Sequence, residues 1–267
     1  MAVVALVAGT GAAQAFVLGL SMTLLQFAIG ALNDLVDAPR DAGQRVGKPI
    51  PDGVVSPEAA RFVIAGSVGG GLLLAAVSGG LGLVLLALLG LAIGAAYDLR
   101  AKGTTLSWLP LAAGIPLLPL YGWYGATGDI PAMFLVIVPA AANAGAALAI
   151  ANALVDVERD EAAGNGSIAV ALGRHQAARL VVLLLAVVTV LAIGTTLVTG
   201  APAGWVAAVA LAACVPLGGA AFGMVAAGRP GTAWRELAWE VQAVGTGLLA
   251  VAWLGALSAT SVATPGH

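Results

Sequence analysis

The sequence predicts an all-α, polytopic membrane protein: a helical bundle of about eight spans forming one domain over residues 1–267. Three observations predict it. First, 60% of the residues are hydrophobic and 9% are charged, with a mean hydropathy of +1.01, whereas a soluble domain carries roughly 25% charged residues. Second, the apolar residues form runs of about the length that crosses a hydrocarbon core. Third, the basic residues fall only in alternate loops, as the positive-inside rule requires.

The runs lie at about 11–32, 59–78, 80–97, 107–124, 131–155, 177–199, 203–227 and 235–258. Ser78-Gly79-Gly80, Gly125 to Asp129, and Gly200 to Gly204 punctuate three of the cuts. Residues 1–8 read as the tail of a further span, hinged at Gly9-Thr10-Gly11. All 11 Lys and Arg residues lie in the stretches 33–58, 98–106, 156–176 and 228–235, or at their helix ends, and the three punctuated turns hold none. The basic stretches are therefore expected on the cytoplasmic side. The 37 glycines suit close packing of helices in lipid. Trp108, Trp123, Trp205, Trp234 and Trp239 fall near span ends, as interfacial anchors do.

Several classes are excluded. The scattered basic residues form no nucleic-acid surface. The apolar N-terminus lacks the basic n-region of a secretory signal. The one cysteine, Cys214, lies in an apolar run and has no intrachain partner. There is no Cys/His cluster for zinc or iron.

The informative feature is a repeat. Asn33-Asp-Leu-Val-Asp37-Ala-Pro-Arg40-Asp41 is answered 119 residues later by Asn152-Ala-Leu-Val-Asp156-Val-Glu-Arg159-Asp160, with six of nine positions identical. Both copies sit where an apolar run ends on the basic side. Acids near lipid are costly, and their recurrence at matched depth marks a functional site. On a helix Asn33, Asp37 and Asp41 share one face, and Asn152, Asp156 and Asp160 repeat the pattern. Such oxygen-rich faces suit Mg²⁺, which keeps positions open for substrate phosphates. Asp34 is a weaker candidate ligand than the aligned acids. Glu158 has no counterpart in the first copy, where Pro39 stands, and reads as part of a solvated face. Arg45 and Lys48, in a Gly/Pro-rich loop, and Lys102 with Tyr97 in a second loop, are candidates to neutralise diphosphate. Asn143 reads as a helix–helix hydrogen-bonding residue that could line a cavity. Glu240 is a weak candidate to contact an acceptor or pair with Arg235, and His175 reads as interfacial.

At these residues the chain resembles the UbiA superfamily of intramembrane prenyltransferases. Asn33, Asp34, Asp37 and Asp41 match its first motif, Asn-Asp-x-x-Asp-x-x-x-Asp, and Arg45, Lys48, Pro49 and Gly53 match what commonly follows. Asp156, Asp160, Gly164, Ser167 and Leu172-Gly173 match the second motif and its sequel. Tyr97, Lys102 and Gly103, then Trp108-Leu109-Pro110, look like the family's Tyr/Lys loop and the next span, although Tyr97 and Lys102 are five positions apart where many members space them by four. The resemblance implies nine helices, the first largely absent here, around a central cavity open to the cytoplasmic side. It implies Mg²⁺ held by both motifs, a prenyl diphosphate gripped by that metal, and transfer of the isoprenyl group to a lipophilic, often aromatic acceptor. Asp37, Asp156 and Asp160 would be the catalytic acids, with Asp156 or Asp160 the base that removes the final proton.

Two rival readings share these residues. A UbiA-type terpene cyclase would use the same ionisation without an acceptor. A secondary transporter also carries repeated half-motifs and intramembrane acids, but here the acids gather at one face instead of the midplane.

Overall fold

In a computed structural model the chain's regular structure is all helix, and the structure describes residues 1–43, 47–229 and 231–263. No strand occurs among the described residues, and six helices are long and apolar enough to cross a membrane. The chain divides into two compact units: Met1–Arg100 with Leu117–Ile130, and Ala101–Pro116 with Pro131–His267.

The first unit begins with a short helix, α1 (Ala2–Val7), which turns at Gly9 (φ +92°) into α2 (Ala12–Asp41). This is the hinge expected from Gly9-Thr10-Gly11. Ser56 caps α3 (Pro57–Ala96) by accepting from Ala59 N at 3.1 Å, with Pro57 at its first position, where a missing N–H costs nothing. Gly79 and Gly80 leave helical geometry, Gly80 with φ +61°. A Cβ on Gly71 would strike Leu25 at 2.8 Å, and one on Gly94 would strike Ile29 at the same distance. Positions 23 residues apart on α3 thus meet α2 residues only four apart. A straight helix of that length spans roughly 35 Å, so α3 doubles back at the glycine pair, as the turn at Ser78-Gly79-Gly80 predicted.

The expected run over 107–124 is interrupted. It forms α4 (Leu109–Gly114) and α5 (Leu117–Thr127), which belong to different units. Pro116 has no N–H to give Ala112 O, so the hydrogen-bond ladder stops there. In the first unit Ala5, Leu18, Leu25, Leu83 and Tyr121 form the core, and Ser21 Oγ joins α2 to α3 and α5 by donating to Gly71 O at 2.8 Å and meeting Tyr121 Oη at 2.6 Å.

The second unit contains α4, α6 (Phe134–Val155), α7 (Val157–Ala162), α8 (Ile168–Leu172), α9 (Arg174–Val198), α10 (Ala203–Ala227) and α11 (Ala233–Ala263). α6 packs on α4 and α9, and α10 lies between α9 and α11. The core is small and aliphatic: Ala147, Ile150, Leu154, Val157, Val181 and Leu185. Small residues set the spacing. A Cβ on Gly145 would lie 2.4 Å from Leu111 O, and one on Gly245 would lie 2.5 Å from Pro216 N. Both obstacles are backbone, which cannot rotate away.

Gly245→Ala should therefore push α11 off α10 and destabilise the protein by about 1–3 kcal/mol. Thermal unfolding in detergent measures this. Gly247→Ala, where a Cβ meets open space, should leave the midpoint unchanged or raise it slightly.

Candidate functional site

The first acidic motif forms the last turns of α2. Asn33, Asp34, Asp37 and Asp41 are all helical, as the spacing required. Asp37 is 5% exposed. The loop that follows folds back on the helix: Gly47 N donates to Asp52 Oδ2 at 2.9 Å, and Val55 N donates to Pro49 O at 2.9 Å. This brings Lys48 Nζ to 2.7 Å from Asp34 Oδ1 and 3.6 Å from Asp41 Oδ2. Residues seven apart lie on one helix face, so one ammonium bridges two carboxylates of the motif. The structure thus puts Lys48 on the acids themselves. Arg45 lies outside the described residues.

A buried acid outside both motifs belongs to the same unit. Asp98 is 4% exposed, and its Oδ1 accepts from Asn33 Nδ2 at 2.7 Å. It sits in a π-helical turn, Tyr97–Ala101, that closes α3. Such turns are rare and recur at functional sites. Tyr97 opens this turn and is half-buried. The sequence signal for Asp98 was an acid one residue past an apolar run, beside a tyrosine.

The second motif departs from the expected continuous helix face. α6 stops at Val155, Asp156 takes φ −97° and ψ 9°, and α7 restarts at Val157. Asn152 is on the exposed surface of α6, whereas Asp160 is on α7. The i to i+4 relation survives across the break only between the two aspartates, through Asp160 N donating to Asp156 O at 2.9 Å. Asp156 Oδ1 accepts from Arg159 Nη1 at 2.7 Å. Asp160 Oδ1 accepts from Asn165 Nδ2 at 3.3 Å, while Asn165 N donates to Asp160 O at 2.9 Å. Asn165 is uncharged and outside the repeat, so nothing in the sequence singled it out. Gly166 N in turn donates to Gly103 O at 3.0 Å, which ties the loop carrying Lys102 to the loop after the second motif. Gly103 has φ +75°, and a Cβ there would come to 3.3 Å from Asn165 Oδ1.

Glu158 is not a free solvated residue. Its carboxylate pairs with Arg174 Nη1 at 3.0 Å and with Arg235 Nη2. Burial pushes its pKa up, but hydrogen bonds from Arg235 and its own backbone, with the charges of Arg235 and Arg174, outweigh this and hold it below its ordinary value of 4.5. Arg235 is thus engaged by Glu158, and Glu240 lies exposed on α11. Asn143 Nδ2 donates to Pro139 O at 2.8 Å, within its own helix, not across to a neighbour.

The donor set of each motif is anionic and made only of oxygen, which suits a hard divalent cation. Among the described residues no three His, Cys, Asp or Glu side chains converge as a finished metal site. In the first motif two acids, Asp34 and Asp41, meet one cation, Lys48, whereas Asp156 and Asp160 have separate partners. Mg²⁺ is commonly held in this way, by one or two carboxylates with phosphate oxygens and water completing the shell. The residues present therefore fit Mg²⁺.

The helices and paired acids define a class: an integral membrane protein of α-helices carrying acidic motifs at helix ends. The sequence pattern of the UbiA prenyltransferase family matches residues 1–240, and the chain belongs to that family. It is 33% identical over 176 residues to the digeranylgeranylglyceryl phosphate synthase of Methanopyrus kandleri, a match covering 64% of this chain and 60% of that relative, hence less than two-thirds of the relative's length. Two solved structures share the fold. The apo UbiA homologue of Aeropyrum pernix has a TM-score of 0.72 at 22% identity, covering 94% of each chain. The UbiA homologue of Archaeoglobus fulgidus bound to GPP and Mg²⁺ has a TM-score of 0.68 at 18% identity, covering 93% of this chain and 94% of that one.

The lowered pKa of Glu158 has a definite sign. A carboxylate more acidic in the folded state contributes stability above its unfolded pKa and loses that contribution as pH falls through its folded value. With EDTA present, the wild-type chain should melt above Glu158→Gln at pH 6–7, and the gap should close below the ordinary glutamate range. Melting curves of both chains against pH measure it; a gap that widens on acidification would contradict the sign.

Proposed function

We propose that this chain is an intramembrane prenyltransferase, which moves an isoprenyl group from a prenyl diphosphate to a lipophilic acceptor with Mg²⁺ bound by its two acidic motifs. One observation carries the reading: Asp34 and Asp41 already converge on a single positive charge at the end of a membrane helix. Family membership supports it. So does the Archaeoglobus fulgidus homologue of the same fold, which is bound to GPP and Mg²⁺ together.

In this reading Asn33, Asp37 and Asp41 on α2, with Asp34 beside them, and Asp156 and Asp160 around the α6–α7 break, serve one diphosphate. Bound Mg²⁺ would supply Lewis-acid neutralisation of the charge growing on the leaving diphosphate. Lys48, Arg45 and Lys102 add positive charge to the same oxygens, with Lys48 exchanging carboxylate for phosphate. Tyr97 contributes a hydroxyl to that end of the substrate. Apolar helix surface keeps water from the allylic cation formed as the C1–O bond stretches. Asp156 or Asp160 takes the proton that the acceptor loses.

The isoprenoid tail needs an apolar path that starts at the acids. An open groove of about 890 Å³ in the first unit runs along α2 past Phe16, Leu20 and Phe27 and ends at Gly30 and Asp34. Apolar walls with an acid at one end match an amphiphile with a diphosphate head. The domain spans the whole chain in this proposal, with about eight spans once the two arms of α3 and the broken α4–α5 segment are counted. Both motifs face the cytoplasm, as the distribution of basic residues supports. The relative from Methanopyrus kandleri makes a prenylated glyceryl phosphate the first acceptor to assay beside aromatic ones.

The test uses purified protein in nanodiscs with Mg²⁺, a series of labelled prenyl diphosphates, and acceptors added or withheld. Diphosphate release with prenylated acceptor is expected, and Asp37→Ala or Asp156→Ala should lower turnover by about 100-fold or more. Wild-type rates in either variant contradict the site. Product formed without acceptor indicates cyclisation, and no release under any condition argues for a non-enzymatic role.

Gly30 lines the groove, and a Cβ there meets nothing within 4 Å. Gly30→Trp should therefore block long isoprenoids while the shortest diphosphate still reacts. Unchanged chain-length preference, read from product mass, would remove the groove from the account.

A further inference from the structure

We infer that Arg235, acting through Glu158 with the help of Arg174, is a positioning residue that sets the rotation of the second acidic motif. The inference rests on the metal-binding role proposed above for Asp156 and Asp160.

α7 cannot orient the motif unaided. Its six residues follow a break at Asp156, and a helix of that length does not hold itself together in isolation. Adjacent residues fasten it. Val157 is fully buried in the core formed with α6, α8 and α9. Glu158 receives two guanidinium groups, Arg174 from the first turn of α9 and Arg235 from the first turn of α11. At 100° per residue, positions two before and two after Glu158 point about 160° away from it on either side. Asp160 therefore lies on the face of α7 opposite the arginines, and Asp156, just ahead of the helix, precedes it by one turn. The preserved bond from Asp160 N to Asp156 O, at 2.9 Å, keeps that relation across the break. Fixing Glu158 fixes where both aspartates aim.

Arg235 is built for this task. It is 2% exposed, and Nη1 donates to Arg229 O at 3.3 Å while Nη2 holds Glu158. A guanidinium with both arms occupied has little rotational freedom. Burying such a charge costs free energy that an apolar pair of the same size avoids. A role in stability alone does not account for it, whereas an orienting role does.

The experiment separates orientation from stability. Glu158→Gln leaves Arg235 buried without its counter-charge and risks misfolding, so the decisive variant is the double substitution Glu158→Leu with Arg235→Met, which removes both charges. Mn²⁺ binding is followed by EPR in chains that also carry Asp34→Ala, Asp37→Ala and Asp41→Ala, so that the second motif is read alone. The KM for geranyl diphosphate is measured in the otherwise wild-type background. The double variant should melt within a few degrees of the parent, yet bind Mn²⁺ about tenfold more weakly and show a KM about tenfold higher, the effect typical of losing a residue behind a metal ligand. Arg235→Lys, which keeps charge without the fork, should fall between. A folded double variant with unchanged Mn²⁺ affinity and unchanged KM overturns the inference while leaving the proposed function standing. If Asp156→Ala also leaves Mn²⁺ binding intact, the metal role of the second motif falls, and this inference falls with it.

Discussion

A carboxylate at the end of an apolar helix must be met by a cation or by hydrogen-bond donors, and both acidic motifs of this protein are organised around that requirement. Taking a charge from water into a poorly polarisable surrounding costs several kcal/mol when nothing compensates it. Each acid in or beside the two motifs whose partners are resolved has such compensation: Lys48 for Asp34 and Asp41, Asn33 for Asp98, Arg159 for Asp156, Asn165 for Asp160, and two arginines for Glu158. The partners are of two kinds. Lys48 and Arg159 reach their acids on long side chains that remain partly exposed. Arg235 and Asn33 are held within the helices, so their contacts define geometry.

Each motif thus has one long, partly exposed partner and one fixed partner, but the two motifs differ in how their aspartates are aimed. The first motif lies on one continuous helix, which gives its aspartates their directions even though Pro39 removes one N–H from the ladder between Asp37 and Asp41. The second lies on a helix restarted after a break, so its direction comes from side chains: Val157 inward, Glu158 onto the arginines, Asn165 onto Asp160. Small residues supply the rest of the rigidity. Gly145 lets α6 approach the backbone at Leu111, and Gly245 does the same for α11 at Pro216.

Much of this was legible in the chain. The i, i+4 spacing placed Asn33, Asp37 and Asp41 on one helix because 3.6 residues per turn allows little else. The glycine pair at 79–80 announced the reversal in α3, since few other residues adopt φ +61°. The family was readable from two motifs in order and spacing. What escaped was long-range or depended on the absence of a donor. Pro116 splits a run that hydropathy reads as one helix. The break at Asp156 has no glycine or proline to mark it. Glu158 and Arg235 are 77 residues apart, and nothing local in either suggests the other. Asp98 was visible as an acid at a run's end, but only its hydrogen bond to Asn33 reveals that it buttresses the first motif.

The central claim is that both acidic motifs hold divalent metal on one prenyl diphosphate. Anomalous scattering from Mn²⁺ in crystals grown with an unreactive prenyl thiolodiphosphate tests it most directly. The account predicts metal peaks about 2.0–2.3 Å from carboxylate oxygens of Asp37 or Asp41 and of Asp156 or Asp160, each also touching the diphosphate. A diphosphate bound by basic residues alone, or metal absent from either motif, would contradict it.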